Sequence, residues 1–424
     1  MRRRWAAARA PLALLLGAVL LTSSWTATSS AEPAVAVGLA ADRPVQRPAA
    51  VVRASAFGMH DGQDRVGAGY GALRLWDTGT TWARLEPAPG RFDWARLDTL
   101  VERARTRGVA VTLVLGSTPA WAARDPLAHG ASWLGAGASS PPRSNAAWAA
   151  YVDAVVSRYR GRIDSYEIWN EAALPEFWKG TPDQLARLTQ IAAARIKAKD
   201  PAALVVSTSL LPRQRAWQRW ATTYLEGLQR RRWPVDVFAM HSYQPNHLAD
   251  PDGRVTTVRT VQRLLTRFGV GGRPLWDTEV NYTSPAYAQR KVEGTRAADW
   301  MARTYLDSLR LGLGRTYWYP ANDSTRLLAM YVRRGGPAAT GLVTVQEWVV
   351  GATFGGCRTS AGSAGAVVTT CALQRGRARS WVAWSSSDRP SPLPVRASTV
   401  CTLLRGCSGA DGGTRVTTSP VLLR

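Results

Sequence analysis

Between residues 51 and 352 the chain alternates short apolar runs with stretches of helical spacing, eight times over. The runs are Val51–Met59, Ala72–Trp76, Val109–Leu115, Ser165–Glu171, Ala203–Leu210, Val235–Tyr243, Pro274–Glu279 and Thr316–Tyr319. Val109–Leu115 is continuously apolar, as a strand covered on both faces must be. Between runs the period changes: Trp148, Tyr151, Val152, Val155, Val156 and Tyr159 recur at three and four, one face of a helix. Thr181-Pro182-Asp183-Gln184 reads as a capping box opening a helix that Pro201 ends. A strand that returns through a helix lies parallel to its predecessor, and eight such units in about 300 residues predict a closed (β/α)8 TIM barrel, an α/β fold.

The ends of the chain read differently. Arg2, Arg3 and Arg4 precede the apolar run Pro11–Leu21, and Ser29-Ser30-Ala31 offers a small-residue cleavage site, so residues 1–31 read as a signal peptide. Residues 32–50, rich in Ala, Pro and Val, read as a linker placed to lend a strand to a neighbouring domain. Beyond 353 the helical spacing stops. Ala366–Leu373, Arg379–Ser385, Val395–Leu404 and Arg415–Leu423 predict a small C-terminal β-sandwich domain over 353–424. Its Cys357, Cys371, Cys401 and Cys407 are the chain's only cysteines. Pairing 357 with 371 and 401 with 407 closes two short loops; a four-thiolate zinc site is the alternative, and no C-x-x-C spacing supports it.

Net charge is +24, and removing the four arginines of residues 1–31 leaves +20. Nucleic acid is one partner such charge suggests. The basic residues are scattered singly, however, and only Lys179, Lys197, Lys199 and Lys291 are lysines, a skew that reads as genome composition, with no nucleic-acid site. Acidic polysaccharides suit the same charge. No run after the signal is long enough to span a bilayer.

Polar residues collect where the runs end: His60, Arg74, Asn170, Glu171, His241, Tyr243, Glu279, and Trp318 beside them. In a (β/α)8 barrel that is the face where chemistry takes place. Glu171 and Glu279 are the two carboxylates that hydrolysis of a glycosidic bond needs, one to protonate the leaving oxygen and one to attack the anomeric carbon, about 5–5.5 Å apart if configuration is retained. Strict alternation puts Asp277 on the same side as Glu279, one layer deeper, which makes it the rival nucleophile. Glu167 lies deeper still and reads as structural. Trp121 and Trp133, in the long loop 116–144, are candidate subsite walls. The four histidines show no H-x-H or H-E-x-x-H spacing and the barrel segment no G-x-S-x-G, so neither a metal nor a serine hydrolase is expected.

Trp169-Asn170-Glu171 on the fourth run, His241-Ser242-Tyr243 on the sixth, Thr278-Glu279 on the seventh and Trp318 on the eighth resemble the clan of retaining (β/α)8 glycosidases. Trp82, Glu86-Pro87, Gly90, Phe92, Asp98, Gly108, Thr118-Pro119 and Trp121, with Pro141-Pro142, Trp148, Tyr151 and Arg158-Tyr159, are similar to glycoside hydrolase family 39, which holds β-xylosidases, α-L-iduronidases and exopolysaccharide endoglycosidases. The resemblance implies Glu171 as acid/base, Glu279 as nucleophile, Asn170 on a sugar 2-hydroxyl, Arg74 keeping Glu279 ionised, His60, His241 and Tyr243 around the carboxylates, and Trp318 as a stacking platform. It implies no cofactor and an oligo- or polysaccharide substrate. With the signal peptide, it implies a bacterial protein that is secreted or held at the cell envelope. A barrel that binds carbohydrate without turning it over is the alternative. Sugar, anomeric configuration, endo or exo attack and oligomeric state are left open.

Overall fold

A computed structural model describes residues 50–63, 69–244, 250–282, 291–319, 328 and 330–424. The expected signal peptide and nearly all of the expected linker lie outside these residues. Eight parallel strands close into a barrel: β2 (Phe57–Met59), β3 (Ala72–Leu75), β4 (Ala110–Leu115), β5 (Ser165–Ile168), β6 (Leu204–Leu210), β7 (Val237–His241), β8 (Leu275–Val280) and β9 (Thr316–Trp318), with β2 hydrogen-bonded to β9. Around it run α1 (Trp82–Leu85), α2 (Ala95–Thr106), α3 (Asn145–Tyr159), α4 (Pro182–Lys199), α5 (Trp217–Arg230), α6 (Pro251–Arg267), α7 (Gly294–Arg310) and α8 (Pro337–Val349). No helix among the described residues is long and apolar enough to cross a membrane.

Val51–Met59 is not one strand. Ala50–Val51 (β1) pairs antiparallel with β10 (Thr353–Ala361), a 3-10 turn follows at Ala54–Ala56, and only Phe57–Met59 enters the barrel. The apolar run serves two sheets because its halves meet different neighbours, which periodicity cannot register. The helix starts are local. Thr181 and Gln184 make the reciprocal capping box, and Asp250 accepts from Gly253 N ahead of Pro251.

The barrel lumen fills in layers. Ala72, Val206, Val237, Ala239, Trp276 and Tyr317 form its apolar floor. Tyr317 enters because Gly58 faces it; a β-carbon there would lie 2.4 Å from the ring. Above the floor Thr112 Oγ1 bonds both Tyr317 OH (2.7 Å) and Ser165 Oγ (2.8 Å). The next layer is charged and belongs to the site.

The C-terminal region is a seven-stranded antiparallel sheet in the order β1-β10-β11-β12-β17-β14-β15, with β11 (Val367–Arg375), β12 (Ala378–Ser385), β14 (Thr399–Thr402), β15 (Gly406–Gly409) and β17 (Val421–Leu423). A two-stranded ribbon, β13 (Ser391–Pro392) with β16 (Arg415–Val416), supplies Val416 to the apolar layer over Val368, Ala383 and Val400 on one face. The other face, with Leu373, Val382 and Trp384, joins Met301 of α7 and Leu342 of α8 in one cluster. The second layer of the sandwich is therefore far smaller than the first. Cys357 bonds Cys371 and Cys401 bonds Cys407, each across directly paired residues. Strand β10 escapes sequence reading because TFGGCRTSA has no apolar alternation to show.

Candidate active site

Arg74, midway along β3, anchors the charged layer. Its Nε and Nη2 donate to the two oxygens of Glu167, at 2.7 and 2.9 Å. Nη2 also donates to Asn170 Oδ1 at 2.9 Å, and Nη1 to Glu279 Oε2 at 3.1 Å. All of these partners are buried. Arg74 is held well above its already high ordinary pKa by its carboxylate neighbours, Glu167 foremost, against the opposing effect of burial. A planar guanidinium can make these four hydrogen bonds from three nitrogens; an ammonium has only three donors, all on one atom.

Strand β5 ends in an uncommon backbone. Trp169 and Glu171 both take positive φ, 69° and 43°, although neither is glycine. The turn is secured on every side. Trp169 N donates to Leu115 O (2.8 Å), Trp169 Nε1 to Phe177 O (2.7 Å), Thr208 Oγ1 to Trp169 O (3.2 Å) and Glu171 N to Ser209 Oγ (3.2 Å). Asn170 and Glu171 thus both reach the mouth from adjacent positions. Non-glycine strain of this kind persists where surrounding structure imposes it, and it collects at functional sites.

Glu279 stands across the mouth, at the end of β8. Its Oε1 accepts from Tyr243 OH at 3.0 Å and its Oε2 from Arg74. Glu171 Oε1 lies 2.9 Å from His241 Nδ1. One oxygen of each carboxylate and one nitrogen of His241 all fall within 4.8 Å of one another. Burial pushes both carboxyls up, Glu279 to about 6, with the charge of Glu171 adding to the rise and Arg74 opposing it. As a pair they keep a proton above the ordinary carboxylate range. His241 is pushed down to about 4, chiefly by burial, so it is neutral near pH 7. Its Nδ1 can donate to an ionised Glu171 or accept from a protonated one.

Two carboxylates and an imidazole this close are also a formal set of metal ligands, which local motifs could not reveal. They fit a cation poorly. Arg74 already donates to Glu279, and its positive charge would repel a second cation at that distance.

Asp277 is not on the same side as Glu279. Met240 pairs with Asp277 but His241 with Glu279, and across the other edge Asp277 pairs with Thr316 but Val280 with Trp318. Against both neighbours β8 spends one extra residue, a bulge that reverses the alternation. Thr278 and Glu279 both face the lumen, Thr278 Oγ1 donating to Glu167 at 3.2 Å. Asp277 faces out and holds Arg254 of α6 (2.7 Å) and Ser242 N (3.1 Å).

Trp318 likewise corrects the expectation. It is fully buried against Tyr282 in the cluster with Met59, Val280 and Met301, so its face is closed to a sugar. Tyr319, one residue on, is the aromatic that turns inward. Its ring meets that of His60 edge-on at 4.8 Å, and its carbonyl accepts from Asn281 Nδ2. His60 sits behind the site, with Nε2 3.0 Å from Thr278 O and its pKa pushed well down by burial. Trp121 donates to Glu86 O at 2.9 Å and packs edge-on against Trp82. Trp133 is half exposed, edge-on to Trp76 at 5.3 Å. Arg213, absent from the sequence reading, approaches Glu171 Oε1 to 3.9 Å.

The fold and this pair define a (β/α)8 barrel with two carboxylates facing each other at the carboxyl ends of its strands. A β-galactosidase family model, that of glycoside hydrolase family 42, matches residues 75–126. The β-xylosidase of Geobacillus stearothermophilus is 27% identical over 164 residues, covering 34% of this chain. The match spans about a third of that relative's length, 32%. Among solved structures, the family 39 glycoside hydrolase of Xanthomonas axonopodis pv. citri aligns with a TM-score of 0.56 at 19% identity, over 80% of this chain and 68% of that one. A monomeric β-xylosidase of Caulobacter crescentus aligns at 0.59 and 15%, over 90% and 98%. Together these likenesses mark the chain as a barrel similar to the glycoside hydrolases of family 39.

Proposed function

We propose that this protein hydrolyses the O-glycosidic bonds of an oligo- or polysaccharide with retention of configuration. One observation carries the reading: Glu171 and Glu279 come from the ends of different strands, yet bring one carboxylate oxygen each within 4.8 Å of the other, in keeping with the close pair that a double displacement uses. Glu279, whose two oxygens accept from Arg74 and Tyr243, is held in place for attack and acts as nucleophile. Glu171 lies within hydrogen-bond distance of His241, which accommodates either protonation state, and acts as acid and then base.

In the first step Glu279 attacks the anomeric carbon while the Glu171 proton passes to the leaving oxygen, and the C–O bond to the leaving group breaks. A glycosyl ester on Glu279 results. In the second step Glu171 takes a proton from water, which attacks the same carbon and frees the carboxylate. The Asn170 amide oxygen is committed to Arg74, which turns its NH2 toward a sugar hydroxyl.

The named relatives make β-xylosides the first substrates to try. The two disulfides suit an oxidising compartment, in keeping with export. Incubation with 2-deoxy-2-fluoro glycosyl fluorides, followed by peptide mass mapping, tests the assignment. A sugar adduct on Glu279 supports it; labelling at another residue, or turnover with inverted product, removes it.

A further inference from the structure

Arg213 stands in the loop between β6 and α5, at the rim of the carboxylate pair. Its guanidinium lies over the ring of Tyr243, with Cζ 4.7 Å from the centroid, and Tyr243 in turn holds Glu279. Its Nη2 is 3.9 Å from Glu171 Oε1, beyond hydrogen-bond range. Three-tenths of the side chain is open to solvent, while its Nε is buried with no hydrogen-bond partner. The guanidinium thus rests on the ring at the rim of the site and makes no hydrogen bond to the described residues. A buried donor left unmet is unfavourable, and at the rim of the carboxylate pair a substrate group can come within reach of this guanidinium.

A purely tuning role for Glu171 explains this poorly. The Arg213 charge favours the ionised carboxylate, the wrong form for a group that must first deliver a proton. A second anion brought by the substrate would offset that charge and leave Glu171 free to hold its proton. The guanidinium fork matches a planar carboxylate or two oxygens of a sulfate ester. Glu171 must face the glycosidic oxygen, and Arg213 lies on its side of the pair, so the anion belongs to the leaving unit. The net charge of +24, or +20 without the four arginines of residues 1–31, would draw in an anionic polymer from a distance.

Resting on the acid/base reading of Glu171, we propose that Arg213 is a specificity residue that receives an anionic substituent, carboxylate or sulfate, on the sugar unit at the leaving-group side of the site.

Calorimetric titration of three sulfur-linked β-xylosyl disaccharides, which resist hydrolysis and carry glucuronic acid, glucose 6-sulfate or glucose as the unit on the leaving-group side, into the full-length protein tests this without turnover. The wild type is expected to bind at least one of the two anions about tenfold or more tighter than the neutral glycoside, as a charge-assisted hydrogen bond implies. Which of them gains tells carboxylate from sulfate. Arg213→Gln abolishes the preference and Arg213→Lys keeps part of it. Because Arg213 makes no hydrogen bond to the described residues, both variants are expected to keep the wild-type circular dichroism and melting temperature. Equal or undetectable binding of all three glycosides by the wild type overturns the proposal, as does an undiminished preference in Arg213→Gln. If fluoro-glycosides fail to label Glu279 while the anion preference stands, the hydrolase reading falls and this site survives as a binding site.

Discussion

Glu167 grips Arg74 with two parallel hydrogen bonds, at 2.7 and 2.9 Å, in a layer where both side chains are wholly buried. That grip frees Nη1 to donate to Glu279 and Nη2 to Asn170, so one ion pair below the mouth orients two groups at it.

Removing either partner should therefore be felt first in folding. Glu167→Ala leaves the guanidinium short of a buried counter-charge, and a loss of about 3–5 kcal/mol is expected. Urea unfolding of the variant checks this. Arg74→Lys should also fall short of the wild type, because an ammonium has three donors on one atom and cannot reproduce four hydrogen bonds made from three nitrogens.

The two carboxylates should separate by leaving group. Glu171→Ala is expected to slow hydrolysis of an unactivated glycoside by about 10²–10⁴. A dinitrophenyl glycoside needs little protonation and should lose far less in its first step. Glu279→Ala should abolish both. Steady-state rates on the two substrates distinguish the roles; an equal loss on both in Glu171→Ala would contradict an acid role.

A pH dependence of stability follows from Glu279. Its pKa is about 6 in the fold against 4.5 for a free side chain. A carboxyl raised on folding favours the fold while protonated; that contribution is complete below about pH 4.5 and is lost as pH climbs through 6. Glu279→Gln escapes the loss. It should gain on the order of 2 kcal/mol relative to wild type between pH 4.5 and 7.5, readable as a rising difference in melting temperature. His241 works in the opposite sense. Its pKa of about 4 means that wild-type stability from this group declines as pH falls from about 6.5 toward 4.

Asp277 separates the bulged strand from a regular one. Facing outward on Arg254, it should matter for folding and not for turnover. Asp277→Asn is expected to lower stability by several kcal/mol, since a buried arginine loses its counter-charge, while the folded fraction keeps kcat within about tenfold. A collapse of kcat by three or more powers of ten, at unchanged stability, would mean that Asp277 faces the lumen.

Trp318 and Tyr319 make a matching pair. Trp318→Leu should open a cavity in the cluster between barrel and α7, with a loss of about 3 kcal/mol or more and little change in KM. Tyr319→Leu should alter KM with a smaller effect on melting.

Much of this protein was legible in its residues alone. The change of period from strand to helix, repeated eight times, needs only local chemistry and a parallel return, so the barrel could be read without coordinates. The short loops between cysteines favoured the pairing that the structure shows, and Glu171 and Glu279 showed themselves as carboxylates that end apolar runs. What only the tertiary structure decided is where neighbouring strands slide against one another. The extra residue in β8 turns Asp277 outward and Glu279 inward although the letters alternate evenly. The order of inward and outward positions on β9 closes Trp318 and presents Tyr319. The grip of Glu167 on Arg74 and the perch of Arg213 on Tyr243 join residues far apart in the chain. Register and long-range contact are properties of pairs of segments, and a side chain crosses from one face of a sheet to the other for a slip of one residue; no pattern within a single segment carries that information.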